Sequence, residues 1–235
     1  EHSVFEILSN SIDEAREGHG DKIIVTRFKD NSVEIQDFGR GIPVGYNEKY
    51  DRFNWELVFC ELYAGGKYKT NSGGSYEYSL GLNGLGACAT QYSSEYMDVE
   101  IHRDGYKYNL HFEKGENIGG LKKEETNRKK TGTKTKWRPD LEVFTDINVS
   151  REYFENILKK QAIVNPNVSF VFRYQTTDGK FEETTYLYEN GISDYINEII
   201  GEEYLTPPQY WQCDRKGRDR DDKPEYKVKL SVTFA

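Results

Sequence analysis

The order of apolar and polar positions along the chain predicts a series of helices and hairpins. Over residues 2–17, Val4, Phe5, Leu8, Ile12 and Ala15 recur at helical spacing and share one side at about 100° per residue. Glu6, Asn10, Asp13 and Glu17 gather within about 60° on the other side, and Gly18 and Gly20 end the helix. Residues 22–28 and 32–37 read as a hairpin around Lys29-Asp30-Asn31, followed by a break-rich loop, Asp37-Phe38-Gly39-Arg40-Gly41-Ile42-Pro43. Residues 53–63 have helical spacing at Leu57, Val58 and Leu62. Residues 64–85 form a long glycine-rich stretch of the kind that serves as a functional lid or is disordered, and 84–94 read as a helix entered from glycines.

Beyond these, strands at 97–103 and 106–112 flank the hairpin turn Asp104-Gly105. Residues 122–130 read as a charged loop, 132–137 as a strand and 151–164 as a helix. A hairpin at 168–175 and 181–188, a short helix at 191–200, a mobile charged loop at 213–224 and a strand at 227–234 complete the series. Hairpins with interspersed helices, without βαβ alternation, predict an α+β sandwich with a largely antiparallel sheet.

Composition narrows the classes. The 235 residues suffice for one good-sized core, or for a domain plus part of another. No apolar run approaches the roughly 20 residues of a membrane span, and no stretch reads as a signal peptide. Cys60, Cys88 and Cys213 are widely spaced, which predicts free thiols in a reducing cytoplasm. A net charge of -8 makes a DNA-gripping module a poor fit for the chain alone. The 18 tyrosines suit half-buried strands and carry no functional reading.

Three segments carry candidate chemistry. Glu6, Asn10, Asp13 and Glu14 line one helix face, for which a solvated surface is the ordinary reading. Asp37-x-Gly-x-Gly alone is an ordinary turn after a strand. Gly81-Leu82-Asn83-Gly84-Leu85-Gly86 opens a helix, where free backbone N–H groups and the helix dipole suit phosphate. Each is weak alone, but their order and spacing together form the Bergerat nucleotide-binding pattern. That pattern resembles the GHKL family of gyrase B subunits, a heat-shock chaperone, MutL-type repair proteins and sensor histidine kinases.

The detailed resemblance is to the ATPase region of bacterial type II DNA topoisomerase B subunits, of the gyrase and topoisomerase IV kinds, and it covers essentially the whole chain. It is carried by residues 4–15, the Asp37–Pro43 loop, Ala64-Gly65-Gly66-Lys67-Tyr68, Thr131-Gly132-Thr133 with Trp137-Arg138-Pro139-Asp140, and Tyr188-Glu189-Asn190-Gly191-Ile192. The resemblance implies a two-layer sandwich of helices on a mixed, largely antiparallel sheet, with an ATPase domain over 1–188 and the start of a truncated transducer domain over 189–235. ATP and Mg²⁺ are the implied cofactors. Glu6 is the implied general base and Asn10 the Mg²⁺ ligand. Asp37 would read the adenine amine, with Thr133 supporting it. Glu14 and Arg40 would pair beside the base, and Gly41, Ile42 and Pro43 would edge it. Ile7, Ile35, Ile42 and Val58 would line the slot. Lys67, Tyr76 and the 81–86 segment (Gly81, Leu82, Asn83, Gly84, Leu85 and Gly86) would hold the phosphates.

The implied partners are a topoisomerase A subunit, of the gyrase A or topoisomerase IV A type, DNA in the full complex, and a second copy of the chain's own subunit through an N-terminal arm. Asn83 replaces the usual lid histidine, the stretch 71–75 looks longer than usual, and Asn109 stands where gyrases carry an arginine that binds coumarins. The basic run Lys122, Lys123, Arg128, Lys129, Lys130, Lys134 and Lys136, diluted by Glu124 and Glu125, reads as a solvated loop before it reads as a DNA surface. Both ends read as cut, so the chain is expected to be monomeric and slow in hydrolysis. The rival reading is a nucleotide-gated chaperone, repair or signalling module of the same fold. A phosphoacceptor-histidine helix pair would mark the kinase, and plasmid supercoiling or relaxation with the A subunit would mark the topoisomerase.

Overall fold

The computed structural model describes residues 1–62, 85–126, 129, 131–201, 204–218, 220–222 and 225–235. In chain order the elements are α1 (His2–Arg16), β1 (Lys22–Arg27), β2 (Val33–Asp37), β3 (Tyr46–Asn47), β4 (Arg52–Phe53), α2 (Asn54–Phe59), α3 (Gly86–Tyr92), β5 (Ser94–Arg103), β6 (Tyr106–Glu113) and β7 (Glu116–Asn117). They continue with β8 (Lys122–Glu125), β9 (Gly132–Pro139), α4 (Arg151–Val164), β10 (Ser169–Gln175), β11 (Phe181–Tyr186), α5 (Ile192–Ile200), β12 (Gln209–Gly217) and β13 (Tyr226–Phe234).

One mixed sheet organises the molecule in the order β11-β10-β1-β2-β9-β5-β6-β7, with β8 also paired to β6. Every pairing in it is antiparallel except β1 with β10. Its two faces follow from strict alternation. Val33, Ile35, Val99, Ile101, Leu110, Phe112 and Trp137 point to the helix side and are buried. There they meet Val4, Ile7, Leu8 and Ile12 of α1, and Phe154, Leu158 and Ala162 of α4. Phe154 stacks on Phe172 of β10 at 5.3 Å between ring centroids. The Ser150 hydroxyl caps α4 by accepting from the Tyr153 N–H at 3.2 Å.

The opposite face is polar, as one side of an antiparallel sheet commonly is. Glu100 lies there in reach of His102 Nε2 at 3.1 Å, Lys107 Nζ at 3.2 Å and Lys134 Nζ at 3.4 Å. A shallow depression of about 400 Å³ on this face is lined by Glu34, Asp98, Glu100, His111, Lys134 and Lys136, among others. Asn109 lines it too, on the side of the sheet away from Asp37.

Two expected loops are strands. Lys122–Glu125 form β8, because the outer edge of β6 offers free backbone partners, and Lys123 sets its ammonium 3.7 Å above the Tyr106 ring. Among the described members of the basic run, Lys134 and Lys136 interleave with Glu34, Glu100 and Asp98, so the described part of this surface is of mixed charge. Cys213–Gly217 belong to β12, paired along its length with β13. Helix α2 is shorter than its apolar spacing predicts and ends at Phe59, with Cys60 as its C-cap. Among the described residues, the segment α5–β13 adds only Thr233 to the buried set.

Candidate nucleotide site

Asp37 ends β2 on the helix side of the sheet and is buried, at 9% exposure. Its Oδ1 accepts from the Gly39 N–H at 3.0 Å and the Thr133 N–H at 3.1 Å. Its Oδ2 accepts from the Ser11 hydroxyl of α1 at 2.9 Å. All three donors are neutral. Burial pushes the Asp37 carboxyl above its ordinary value, the three hydrogen bonds hold that rise back, and the nearby Glu14 charge adds to it.

The loop after Asp37 is fixed from three sides. Glu14 of α1 takes Arg40 in a fork, Nη2 to Oε1 at 2.8 Å and Nε to Oε2 at 3.1 Å, and Oε2 also accepts the Arg40 N–H at 3.1 Å. Thr133 Oγ1 accepts the Ile42 N–H at 3.2 Å. From β5, Arg103 Nη1 donates to the Gly41 carbonyl at 2.7 Å. Gly41 has φ +79°, and a Cβ there would stand 2.7 Å from the His102 carbonyl oxygen, so glycine is required by β5 itself. Gly132 is pressed onto the backbone of Asp37 and Phe38, which puts the Thr131-Gly132-Thr133 segment in contact with the loop.

Glu6 and Asn10 stand on the rim rather than the floor. Glu6 is partly exposed and its Oε1 lies 3.1 Å from His2 Nε2, one helical turn back. Gly86, which opens α3, packs directly on Glu6; a Cβ there would lie 2.7 Å from the Glu6 Cβ. Asn10 is exposed. The helix face expected to be solvated is therefore divided, for Asp13 is buried and Glu14 engaged. Ile7 and Ile35 are core residues, whereas Ile42 and Val58 are partly exposed. Pro43 is half-buried at the loop's end, and Leu85 precedes Gly86 at the entry to α3. Lys67, Tyr76, Gly81, Leu82, Asn83 and Gly84 lie outside the described residues. Among the described residues no cluster of three or more His, Cys, Asp or Glu side chains forms a metal centre.

Two polar side chains of the site, Ser11 and Arg103, have no role assigned by the sequence reading. Ser11 adjoins Asn10 and sits one helical turn from Ile7, so its position on α1 was available. Its bond to Asp37, 26 residues away, was not.

The chain is 36% identical over 237 residues to the B subunit of DNA topoisomerase 4 from Staphylococcus aureus strain MW2, an alignment covering 99% of this chain and 35% of the relative. The proteins of strains N315 and COL give the same figures. This chain is homologous to the type II DNA topoisomerase B subunits. Its fold is that of the family's ATPase domain. The crystal structure of the 43K ATPase domain of Thermus thermophilus gyrase B in complex with an aminocoumarin matches it with a TM-score of 0.74 and 25% identity, over 90% of this chain and 53% of that one. No family model matches the chain. The chain spans about a third of the length of the curated B subunits it matches.

Proposed function

We propose that this chain binds ATP with Mg²⁺ and hydrolyses it as part of a type II topoisomerase B subunit. The observation that carries the reading is Asp37, a buried carboxylate held by neutral donors alone and flanked by the Glu14–Arg40 pair. A charge so placed is poorly compensated and suits an incoming N–H donor. Adenine presents an amine where guanine presents an acceptor, so Asp37 selects adenine. Thr133 fixes both Asp37 and Ile42, and Gly41, Ile42 and Pro43 edge the base.

Glu6, on the rim against Gly86, is the general base that orients and deprotonates the attacking water. Asn10, one turn on and exposed, offers its amide oxygen to Mg²⁺. A sparse donor set fits that ion, which keeps several waters and takes phosphate oxygens as ligands. When bound, the ion neutralises charge developing on the phosphates. Leu85 and Gly86, at the entry to α3, would face the phosphates, and the resemblance gives Lys67, Tyr76, Gly81, Leu82, Asn83 and Gly84 phosphate-holding roles as well.

The thin burial among the described residues of 189–235 supports a domain boundary near 188, with the remainder opening a transducer domain. In the assembled protein the reading places a topoisomerase A subunit and DNA as partners, with a second copy of the ATPase subunit engaged on ATP binding, in the cytoplasm. Among the described residues no helix is long and apolar enough to cross a membrane. Calorimetric titration with ATP and GTP in the presence of Mg²⁺ tests the reading. ATP is expected to bind at least about tenfold more tightly, the worth of one good hydrogen bond to a charged group. Equal affinity would remove Asp37 as the reader of the base.

A further inference from the structure

We propose that Ser11 is a positioning residue for base recognition: its hydroxyl fixes the Asp37 carboxylate so that one acceptor position is left for the adenine amine. The inference rests on the ATP-binding reading above. A carboxylate offers about four lone-pair positions, two on each oxygen. Both positions on Oδ1 are taken, by the Gly39 and Thr133 N–H groups at 3.0 and 3.1 Å. On Oδ2, the Ser11 hydroxyl at 2.9 Å fills one. A single position therefore remains, and Ser11 decides which one.

The helix context supports a dedicated use of this hydroxyl. A serine inside a helix commonly bonds back to a carbonyl of the preceding turn. Ser9 on the same helix does so, donating to the Glu6 carbonyl oxygen at 2.9 Å. Ser11 instead gives its proton to a side chain 26 residues away in another element. Ser11 is itself buried, at 4% exposure, so bulk water does not readily replace it. Glu14, whose charge acts on Asp37, is engaged with Arg40, and the hydrogen bonds that orient the carboxylate come from neutral donors. Without Ser11, Oδ2 has two open positions and only the two hydrogen bonds at Oδ1 hold the carboxylate.

The test is a cycle between a side chain and a ligand group. Binding of ATP, and of purine ribonucleoside triphosphate, whose base lacks the amine, is measured on the unaltered chain, on Ser11→Ala and on Ser11→Cys, with a thermal melt of each. The unaltered chain should prefer ATP. Ser11→Ala should weaken ATP by about threefold to tenfold, one hydrogen bond's worth, and leave the amine-less nucleotide within about twofold. Ser11→Cys, close in size with a weaker donor, should fall between, and it carries the test should the alanine variant melt early. Equal weakening of both nucleotides would show a merely structural role and overturn the inference, as would an unchanged ATP affinity. If the unaltered chain binds the two nucleotides equally, the adenine reading itself fails and the inference with it.

Discussion

Asp37 and Glu100 are carboxylates on the same sheet, on opposite faces, and their surroundings push them in opposite directions. Burial opposes ionisation at both. At Asp37 the compensation comes from neutral donors only, Ser11, Gly39 and Thr133, and its carboxyl stays above the ordinary value. At Glu100 burial is outweighed by the His102 hydrogen bond and by Lys134 and Lys107, and the carboxyl is lowered to about 2. Glu100 is a closed arrangement in which each charge has its partner. Asp37 is left with charge to spare, which is what a recognition group needs and a structural ion pair does not. Glu6 is a third kind, a rim carboxylate whose polar contact is His2, a turn away on its own helix.

The largest effect should come from the rim. Glu6→Gln should keep nucleotide binding and lose about 10²–10⁴-fold of whatever turnover the protein supports, the usual contribution of a general base. A steady-state ATPase assay beside a binding titration checks this, and wild-type-like turnover would return Glu6 to the role of a surface residue. Next, Asp37→Asn should weaken ATP by about tenfold to a hundredfold, from roughly 1.5–3 kcal/mol of lost or mispaired hydrogen bonding. Its stability should hold, because an amide oxygen can still accept from Gly39 and Thr133 while the NH₂ faces Ser11.

Gly41→Ala should destabilise the fold by about 1–3 kcal/mol, since it sets a side chain at positive φ against the His102 carbonyl. Denaturant unfolding would show this. The smallest effect belongs to the polar face, where partly exposed ion pairs are worth about 0.2–1 kcal/mol each.

The two carboxylates also have opposite pH signatures. Glu100 is lowered from 4.5 to about 2, so its stabilisation is present above the unfolded value and is lost as pH falls through that window. Glu100→Gln should flatten the acid side of the stability curve. Asp37 is raised above 3.8, so the folded chain holds that proton more tightly than the unfolded one. Its contribution favours folding at low pH and is lost as pH rises through the folded value, and Asp37→Asn should remove that slope. Thermal melts from about pH 2 to pH 7 read both.

Much of this architecture is legible in the sequence because local rules and tertiary needs agree. Residues 151–164 carry an uninterrupted helical pattern behind Ser150, and α4 spans those same residues. Asp37 with Gly39 and Gly41 marks a turn, at which Gly41 takes a positive φ, and the Glu14–Arg40 pair forms beside it. What was not legible depends on partners far along the chain. The strand β8 is charged throughout and is a strand because β6 has a free edge. The strand β12 is exposed along most of its length, so its pairing with β13 leaves little alternation to read. The parallel contact of β1 with β10 joins residues about 150 positions apart, and the Ser11–Asp37 bond leaves no local trace.

Asp37 as a recognition carboxylate and Glu100 as a structural one should respond differently to loss of charge. The most direct measurement is ATP affinity by calorimetry on the unaltered chain, Asp37→Asn and Glu100→Gln, with the melting temperature of each at pH 7. Asp37→Asn alone should lose about tenfold to a hundredfold in affinity, with its melting temperature held, and Glu100→Gln should keep its affinity. Unchanged ATP affinity in Asp37→Asn, or a loss of equal size in Glu100→Gln, would contradict it.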